Sequence, residues 1–174
     1  MFKSVLVAVD GSDHARKALR IAADIADLYK TPLTVLHVVT GEQVGDELRH
    51  MAEVEQLIKP AGKPLPTPGN LPAELGTLLN TTALQDTIGR VATAVGQRIL
   101  DDAVGETRAA KKIDVHAVLE HGDPAQVILA CAKSISADLV VLGSRGLSNI
   151  AGVFQGSVST KVSHATGATC LTVK

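Results

Sequence analysis

Aromatic side chains are almost missing from this chain: Phe2, Tyr29 and Phe154 are the whole set, and tryptophan is absent. A platform that stacks the bases of single-stranded nucleic acid needs several such rings together, so that class of function is excluded. An excess of charge is missing too. Seventeen Lys and Arg stand against 18 Asp and Glu, a formal net charge of -1, which offers no bulk attraction to nucleic acid or to an anionic membrane. Cysteine is limited to Cys131 and Cys170, without C-x-x-C spacing and in apolar surroundings. Buried free thiols are the expectation, not a bridge or a redox pair. No apolar run reaches the ~18 residues of a membrane span, and no basic-then-apolar leader opens the chain, so a cytoplasmic protein with no membrane insertion is expected.

What is present is aliphatic. The hydrophobic fraction is 45% of 174 residues, enough for one domain that needs no disulfide or metal staple. Val5 to Val9 is an unbroken β-rich run of the kind buried on both faces of a parallel sheet. It ends at Asp10-Gly11-Ser12, where the Ser12 hydroxyl can cap a helix carrying Ala15, Ala18, Leu19, Ala22, Ile25, Ala26 and Tyr29 at helical spacing. Thr31-Pro32 breaks that helix, and Leu33 to Val39 makes a second strand. Ile88, Val91, Ala92, Val95, Ile99 and Ala103 mark another helix.

The same rhythm follows to the end. A strand over Val115 to Leu119 leads to His121-Gly122. Asp123 is the expected N-cap of a helix with Pro124 at its first position and Val127, Cys131 and Ile135 facing inward. Leu139 to Leu142 is a strand that Gly143 ends; Val158, Val162 and Ala165 mark a last short helix, and Cys170 to Val173 a closing strand. Strand and helix alternate five times by this reading. The expectation is a doubly wound, five-stranded, mainly parallel sheet with helices on both faces. Ligands of such sheets bind beyond the strands' carboxyl ends, where the strand order reverses. Asp10, Val38 to Thr40, Gly122 and Gly143 all fall there.

One segment breaks the pattern. Five of the seven prolines lie between Pro60 and Pro72, inside a strandless insertion at about 41–84. Regular helix or central strand is impossible through the prolines. Leu48, Met51, Ala52 and Glu55 to Ile58 fit a short amphipathic helix before them. The insertion is read as a surface segment or as a lid over a ligand.

Chemistry is concentrated in Gly143-Ser144-Arg145-Gly146, nine further residues, then Gly156-Ser157. A phosphate needs close approach of backbone N–H groups, which glycine permits. Gly156-Ser157-Val158-Ser159 opens the last helix, where unpaired N–H groups and the dipole favour an anion. In that context the pattern G-x2-G-x9-G-S resembles the nucleotide-binding signature of the universal stress protein family. Val5 to Ser12, Leu36-His37-Val38, Gly122 to Ala125, Ala137 to Gly146, Gly156 to Lys161 and Thr169 to Val173 extend the likeness over most of the chain.

The resemblance implies an adenine nucleotide alpha-hydrolase-like fold and a set of roles. Asp10 corresponds to the acidic residue beside the nucleoside, with Ala8 and Val9 lining that side and Ser12 closing the turn. Val38 corresponds to the position whose backbone reads the adenine edge. Leu142, Gly143, Arg145 and Gly146 correspond to the ribose and phosphate side, and Gly156, Ser157, Val158 and Ser159 to the phosphate cradle. The implied ligand is ATP (ADP or AMP as alternatives) with Mg²⁺ carried on the phosphates. A homodimer through the C-terminal strand and an unidentified protein partner are implied as well. Two features depart from the family: the insertion, and the uncharged Asn149 to Phe154, where many relatives carry basic residues.

Other readings stand beside these. Asp10 also fits a turn residue, and His121 and Asp123 a turn histidine and an N-cap. His37 reads as a hydrogen-bonded core histidine, and His14, His50, His116 and His164 lack zinc spacing. No G-x4-G-K-[ST] run, G-x-G-x2-G turn or G-x-S-x-G elbow occurs, so no catalytic residue is assigned. The function expected is a nucleotide-dependent regulatory dimer; a slow ATPase and a nucleotide-free interaction module are the alternatives.

Overall fold

A computed structural model describes residues 2–40, 82–146 and 156–174. The insertion at 41–81, with the helix expected near Met51, and the Asn149 to Phe154 segment lie outside the described residues. By internal contacts the chain divides into two compact units, Met1–Thr40 with Val95–Lys174, and Gly41–Ala94. Of the second unit, the described part is helical from Thr82.

The first unit is built on one sheet. Its strands are β1 (Val5–Ala8), β2 (Leu33–Val39), β3 (Val115–His121), β4 (Leu139–Gly143) and β5 (Thr169–Val173), and every pairing is parallel. Their spatial order is β3-β2-β1-β4-β5, so the order reverses between β1 and β4. Helices α1 (Asp13–Tyr29), α2 (Thr82–Ala110), α3 (Pro124–Ser134) and α4 (Ser157–Ala165) connect them. This is the doubly wound sheet that the alternation predicts.

Two apolar layers sandwich the sheet. Val5, Val7, Val9, Leu33, Val35 and Val141 face one layer with α1 and the Leu100, Ala103 and Val104 side of α2. Leu6, Leu36, Val38, Val140 and Leu142 face the other with Ile128 and Val162 from α3 and α4. Strands buried on both faces cannot show alternation, which is why they read as continuous runs. The inner face of α1 is mostly alanine: Ala15, Ala18, Ala22, Ala23 and Ala26. Small side chains let the helix lie close on the branched residues of the strands.

The expected elements of the first unit are all present, with corrections at their bounds: the second helix runs on to Ala110, past Ala103, and β5 starts one residue early, at Thr169. Strand β1 stops at Ala8, not Val9; β3 continues two residues past Leu119, along Val38 and Val39; and Gly143 lies within β4, paired with Val173. On α3 the buried residues are Ala125, Ile128 and Ala132, while Val127, Cys131 and Ile135 sit only at the margin of the core. Neither cysteine is fully buried. Burial still pushes both thiols up, Cys131 with help from the Glu120 carboxylate, which favours the protonated form.

Candidate functional site

The carboxyl ends of β1 and β4 lie side by side, and three short hydrogen-bonded links tie them to α1 and α4. The first is the turn after β1. Gly11 takes φ +85, a left-handed conformation that suits glycine, and lets the chain turn back. Asp10 Oδ1 accepts the Ser12 N–H at 2.9 Å. The Ser12 hydroxyl then caps α1 by accepting from Ala15 N at 3.2 Å, as the sequence predicts.

The second link joins this turn to the end of β4. Ser12 Oγ donates to the Arg145 carbonyl at 3.4 Å. A side chain on Gly146 would meet Asp10 Oδ2 at 2.7 Å, so the carboxylate lies directly against that glycine. Gly143 is equally confined, because a Cβ there would stand 2.9 Å from Ala15 N. Its lack of a side chain is therefore required by the packing of β4 on the first turn of α1.

The third link brings in α4. Gly156 N–H donates to the Ser144 carbonyl at 2.6 Å, and Ser144 N–H donates to Val173 O at 2.6 Å. Ser159 Oγ donates to Gly156 O at 3.0 Å and lies 3.4 Å from Ser144 O. The start of α4 is thus fixed beside the end of β4. Gly156 is its N-cap and gives it no side-chain cap bond, whereas Ser12 caps α1 and Asp123 caps α3 through Gln126 N at 2.9 Å. Among the described residues no side chain takes the first N–H groups of α4, and Ser157 at the first position is exposed.

Val38 stands one strand away. Leu36 O accepts from Val9 N at 2.9 Å, so Leu36 turns its backbone polar groups towards β1. In a parallel strand every second residue does the same, which turns the Val38 N–H and C=O past the end of β1. The expected positions Ala8, Val9, Asp10, Ser12, Val38, Leu142, Gly143, Arg145, Gly146 and Gly156 to Ser159 thus all occupy the carboxyl ends of β1, β2 and β4, the turns that follow β1 and β4, or the start of α4. Their burial differs: Val9, Ser12, Val38, Leu142 and Ser159 are buried, while Asp10, Arg145 and Gly146 are half-exposed.

The other candidate polar residues behave as structural groups. Asp123 is an N-cap, and His121 is an exposed residue of the β3 edge. His37 is fully buried, and its Nδ1 lies 2.7 Å from Val9 O. A carbonyl only accepts, so Nδ1 carries the proton. Sequence reasoning missed the partner of that ring. A Cβ on Gly96 of α2 would lie 2.8 Å from His37 Cδ2, so the helix passes the imidazole only because residue 96 is glycine.

A separate cavity of ≈ 210 Å³ opens between α1 and α2, over Val9, Ala15, Leu19, Ile99 and Ala103. It does not include the glycine loop, and its mouth carries Arg16, Asp102 and Glu106. Ion pairs bridge the two helices farther along, Arg20 to Glu106 at 2.8 Å and Lys111 to Asp24 at 2.8 Å. Among the described residues no cluster of His, Cys, Asp or Glu is arranged to hold a metal ion, and no helix is long and apolar enough to cross a membrane.

Comparison with known proteins agrees with this architecture. The model of the universal stress protein family matches residues 1–61 and 73–174. The universal stress protein YxiE of Bacillus subtilis is 31% identical over 174 residues, 100% of each chain. A solved universal stress protein in complex with cAMP superposes with a TM-score of 0.58 at 24% identity, covering 99% of this chain and 96% of the other. One from Archaeoglobus fulgidus in complex with dAMP gives 0.59 at 21% identity, covering 100% and 98%.

Proposed function

This chain belongs to the universal stress protein family, and from that premise we propose that it binds an adenine nucleotide at the carboxyl ends of β1, β2 and β4. The observation that carries the proposal is the start of α4, held beside β4 by the Gly156–Ser144 bond with no described side chain capping it. Free N–H groups at the positive end of a helix are an anion site, and Ser157 adds an exposed hydroxyl. The adenine nucleotides cAMP and dAMP in the two solved relatives are consistent with that chemistry.

ATP is the nucleotide proposed, with ADP and AMP as weaker alternatives. Gly156 to Ser159 would receive its phosphates, with Arg145 and Gly146 beside them, Asp10 would hold the ribose side, and the Val38 backbone would meet the adenine edge. The absence of a described carboxylate cluster leaves Mg²⁺ to be held by the phosphates themselves, whose charge it would neutralise. We further propose a regulatory role in the cytoplasm as a homodimer. Strand β5 is a half-exposed sheet edge, and its free backbone groups suit pairing with a second copy.

Calorimetric titration of nucleotide-free protein with Mg-ATP, ADP, AMP and cAMP tests the reading. Saturable binding near one site per chain is expected. No heat from any of them at millimolar concentration sinks it. One observation favours the second reading, a nucleotide-free interaction module: Gly143, Gly146 and Gly156 each have a close intramolecular neighbour that accounts for the missing side chain. Absence of nucleotide binding together with dimerisation would select that module.

A further inference from the structure

The parallel ladder between β1 and β2 stops one rung early, and a side chain stands on the carbonyl where that rung would form. Its pairs run from Val5 with Leu33 to Ala8 with Leu36. Val9 continues the pattern on one side by donating to Leu36 O. The next rung of a regular parallel pair would run from Val38 N–H to Val9 O. It is not formed; Val9 O lies instead 2.7 Å from Nδ1 of the buried His37.

We propose that His37 is a positioning residue for the nucleotide site: by taking the Val9 carbonyl, its imidazole keeps the Val38 N–H out of the ladder and holds the Val9–Asp10 peptide in place. The inference rests on the reading of this site as an adenine nucleotide site. Val38 then presents an unspent amide to the hydrogen-bonding edge of the base. Asp10 is held twice, through the carbonyl before it and through the Ser12 N–H on Oδ1, so Oδ2 remains turned towards Gly146. The ring is kept in position from behind by α2. A Cβ on Gly96 would come within 2.8 Å of the ring and 2.9 Å of Val39 Cγ2, so residue 96 must be glycine for the imidazole to reach Val9 O.

An apolar replacement gives the carbonyl back to the ladder. In His37→Leu the Val9 carbonyl becomes free to accept from Val38 N–H, so no buried acceptor is stranded and the sheet gains a rung. In His37→Asn the amide nitrogen can replace Nδ1 and keep the native arrangement.

Hydrogen exchange and titration with adenosine, which carries no phosphate, test the proposal together. In nucleotide-free wild type the Val38 amide is expected to exchange faster than those of Leu36 and Val35. In His37→Leu it should become as protected as they are, while adenosine affinity falls about tenfold or more, the loss of roughly one hydrogen bond. His37→Asn should restore both. A double-mutant cycle with Asp10→Asn should be non-additive, because both changes act on one turn. The imidazole ¹⁵N shifts of His37 should report a protonated Nδ1. Unchanged Val38 exchange in His37→Leu, or unchanged adenosine affinity in a variant whose ladder has closed, overturns the proposal and leaves the nucleotide reading standing. Wild type that binds neither adenosine nor ATP overturns both.

Discussion

Placing a carboxylate at the start of α4 separates its folding role from its proposed ligand role. Ser157 is the first residue of that helix and is exposed, so Ser157→Asp meets no packed neighbour. In the free protein the new charge interacts with the positive helix end, which is worth about 0.3–1 kcal/mol. For a domain of this size that corresponds to a thermal midpoint unchanged or raised by roughly 1–4 °C. With a nucleotide phosphate about 4 Å away the same charge repels it by ~1 kcal/mol in a water-like medium and ~4 kcal/mol at an effective dielectric of 20. A half-exposed site lies nearer the first limit, so Mg-ATP affinity should fall about 10- to 50-fold. Adenosine affinity should not change. Differential scanning calorimetry and paired titrations with Mg-ATP and adenosine give all three numbers. ATP affinity equal to wild type in a folded variant would refute α4 as the phosphate site. Equal loss for adenosine would refute it as well, because the effect would not depend on phosphate.

Three further outcomes test the packing and the charge pattern. Gly143→Ala puts a Cβ 2.9 Å from Ala15 N and 3.0 Å from the His14 carbonyl carbon, neither of which can rotate away. It should cost about 1–3 kcal/mol in urea unfolding, and an unchanged midpoint would mean β4 does not press on α1. Ser136 follows α3 with φ 50, a left-handed conformation that its side chain resists, so Ser136→Gly should stabilise by up to about 1 kcal/mol; a lowered midpoint would contradict the turn geometry. The hydrogen bond donated by Lys30 holds the Asp27 carboxyl below its ordinary range, and the one that Lys111 donates to Asp24 holds its ammonium above its own. Asp27 therefore stabilises the fold above the unfolded carboxylate pKa, an effect lost as pH falls through the lowered value. Lys111 stabilises below the unfolded lysine pKa and ceases to as pH rises through the raised one. Thermal midpoints against pH should show Asp27→Asn flattening the acid limb and changing the alkaline limb less, since Asp24 is the main partner of Lys111, with a small, salt-sensitive amplitude because the groups are exposed. An acid limb identical to wild type would remove the pair from the account.

The centre of the sheet was legible in the sequence because β1, β2 and β4 are buried on both faces. Val5 to Ala8 and Leu139 to Leu142 had no competing helical period, and Asp123-Pro124 marked its helix start with a cap that the structure confirms. The inward face of α3 was legible in part. Val127, Cys131 and Ile135 do pack against the core, but from its margin, and the deepest positions are Ala125, Ile128 and Ala132, two of them alanine. Where a helix lies tightly against branched strand residues, small size marks the interface better than hydrophobicity does. The last two residues of β3, Glu120 and His121, were hidden for the opposite reason. Their side chains are exposed on an edge strand, so the ladder to Val38 and Val39 leaves no apolar trace. The site's frame of glycines, serines and Asp10 was visible as a motif, whereas the His37–Gly96 contact joins residues far apart in the chain and has no local signature.

That difference bears on how the glycine motif should be weighed. A Cβ on Gly143 meets α1, one on Gly146 meets the Asp10 carboxylate, and one on Gly156 meets Ser144 O at 3.2 Å. Gly143 would be required by backbone packing even if no ligand ever bound, Gly146 could be replaced only by displacing the Asp10 carboxylate, and Gly156 is tightly confined, so substitutions there perturb the fold as well as any ligand site. Crowding at Ser144 also explains why residue 156 cannot itself carry a capping side chain. It does not explain why no other side chain is described capping α4, nor why β1 and β2 forgo a rung that their register allows. An unpaired backbone N–H away from water costs about 1–3 kcal/mol, which applies to the buried Val38, whereas the first turn of α4 is open to solvent. Under the proposed reading a base acceptor would remove the cost at Val38, and phosphate oxygens would replace water at α4. The groups that carry information about function are therefore the ones the fold leaves unsatisfied, at Val38 and at the first turn of α4, more than the glycines that drew attention to the loop.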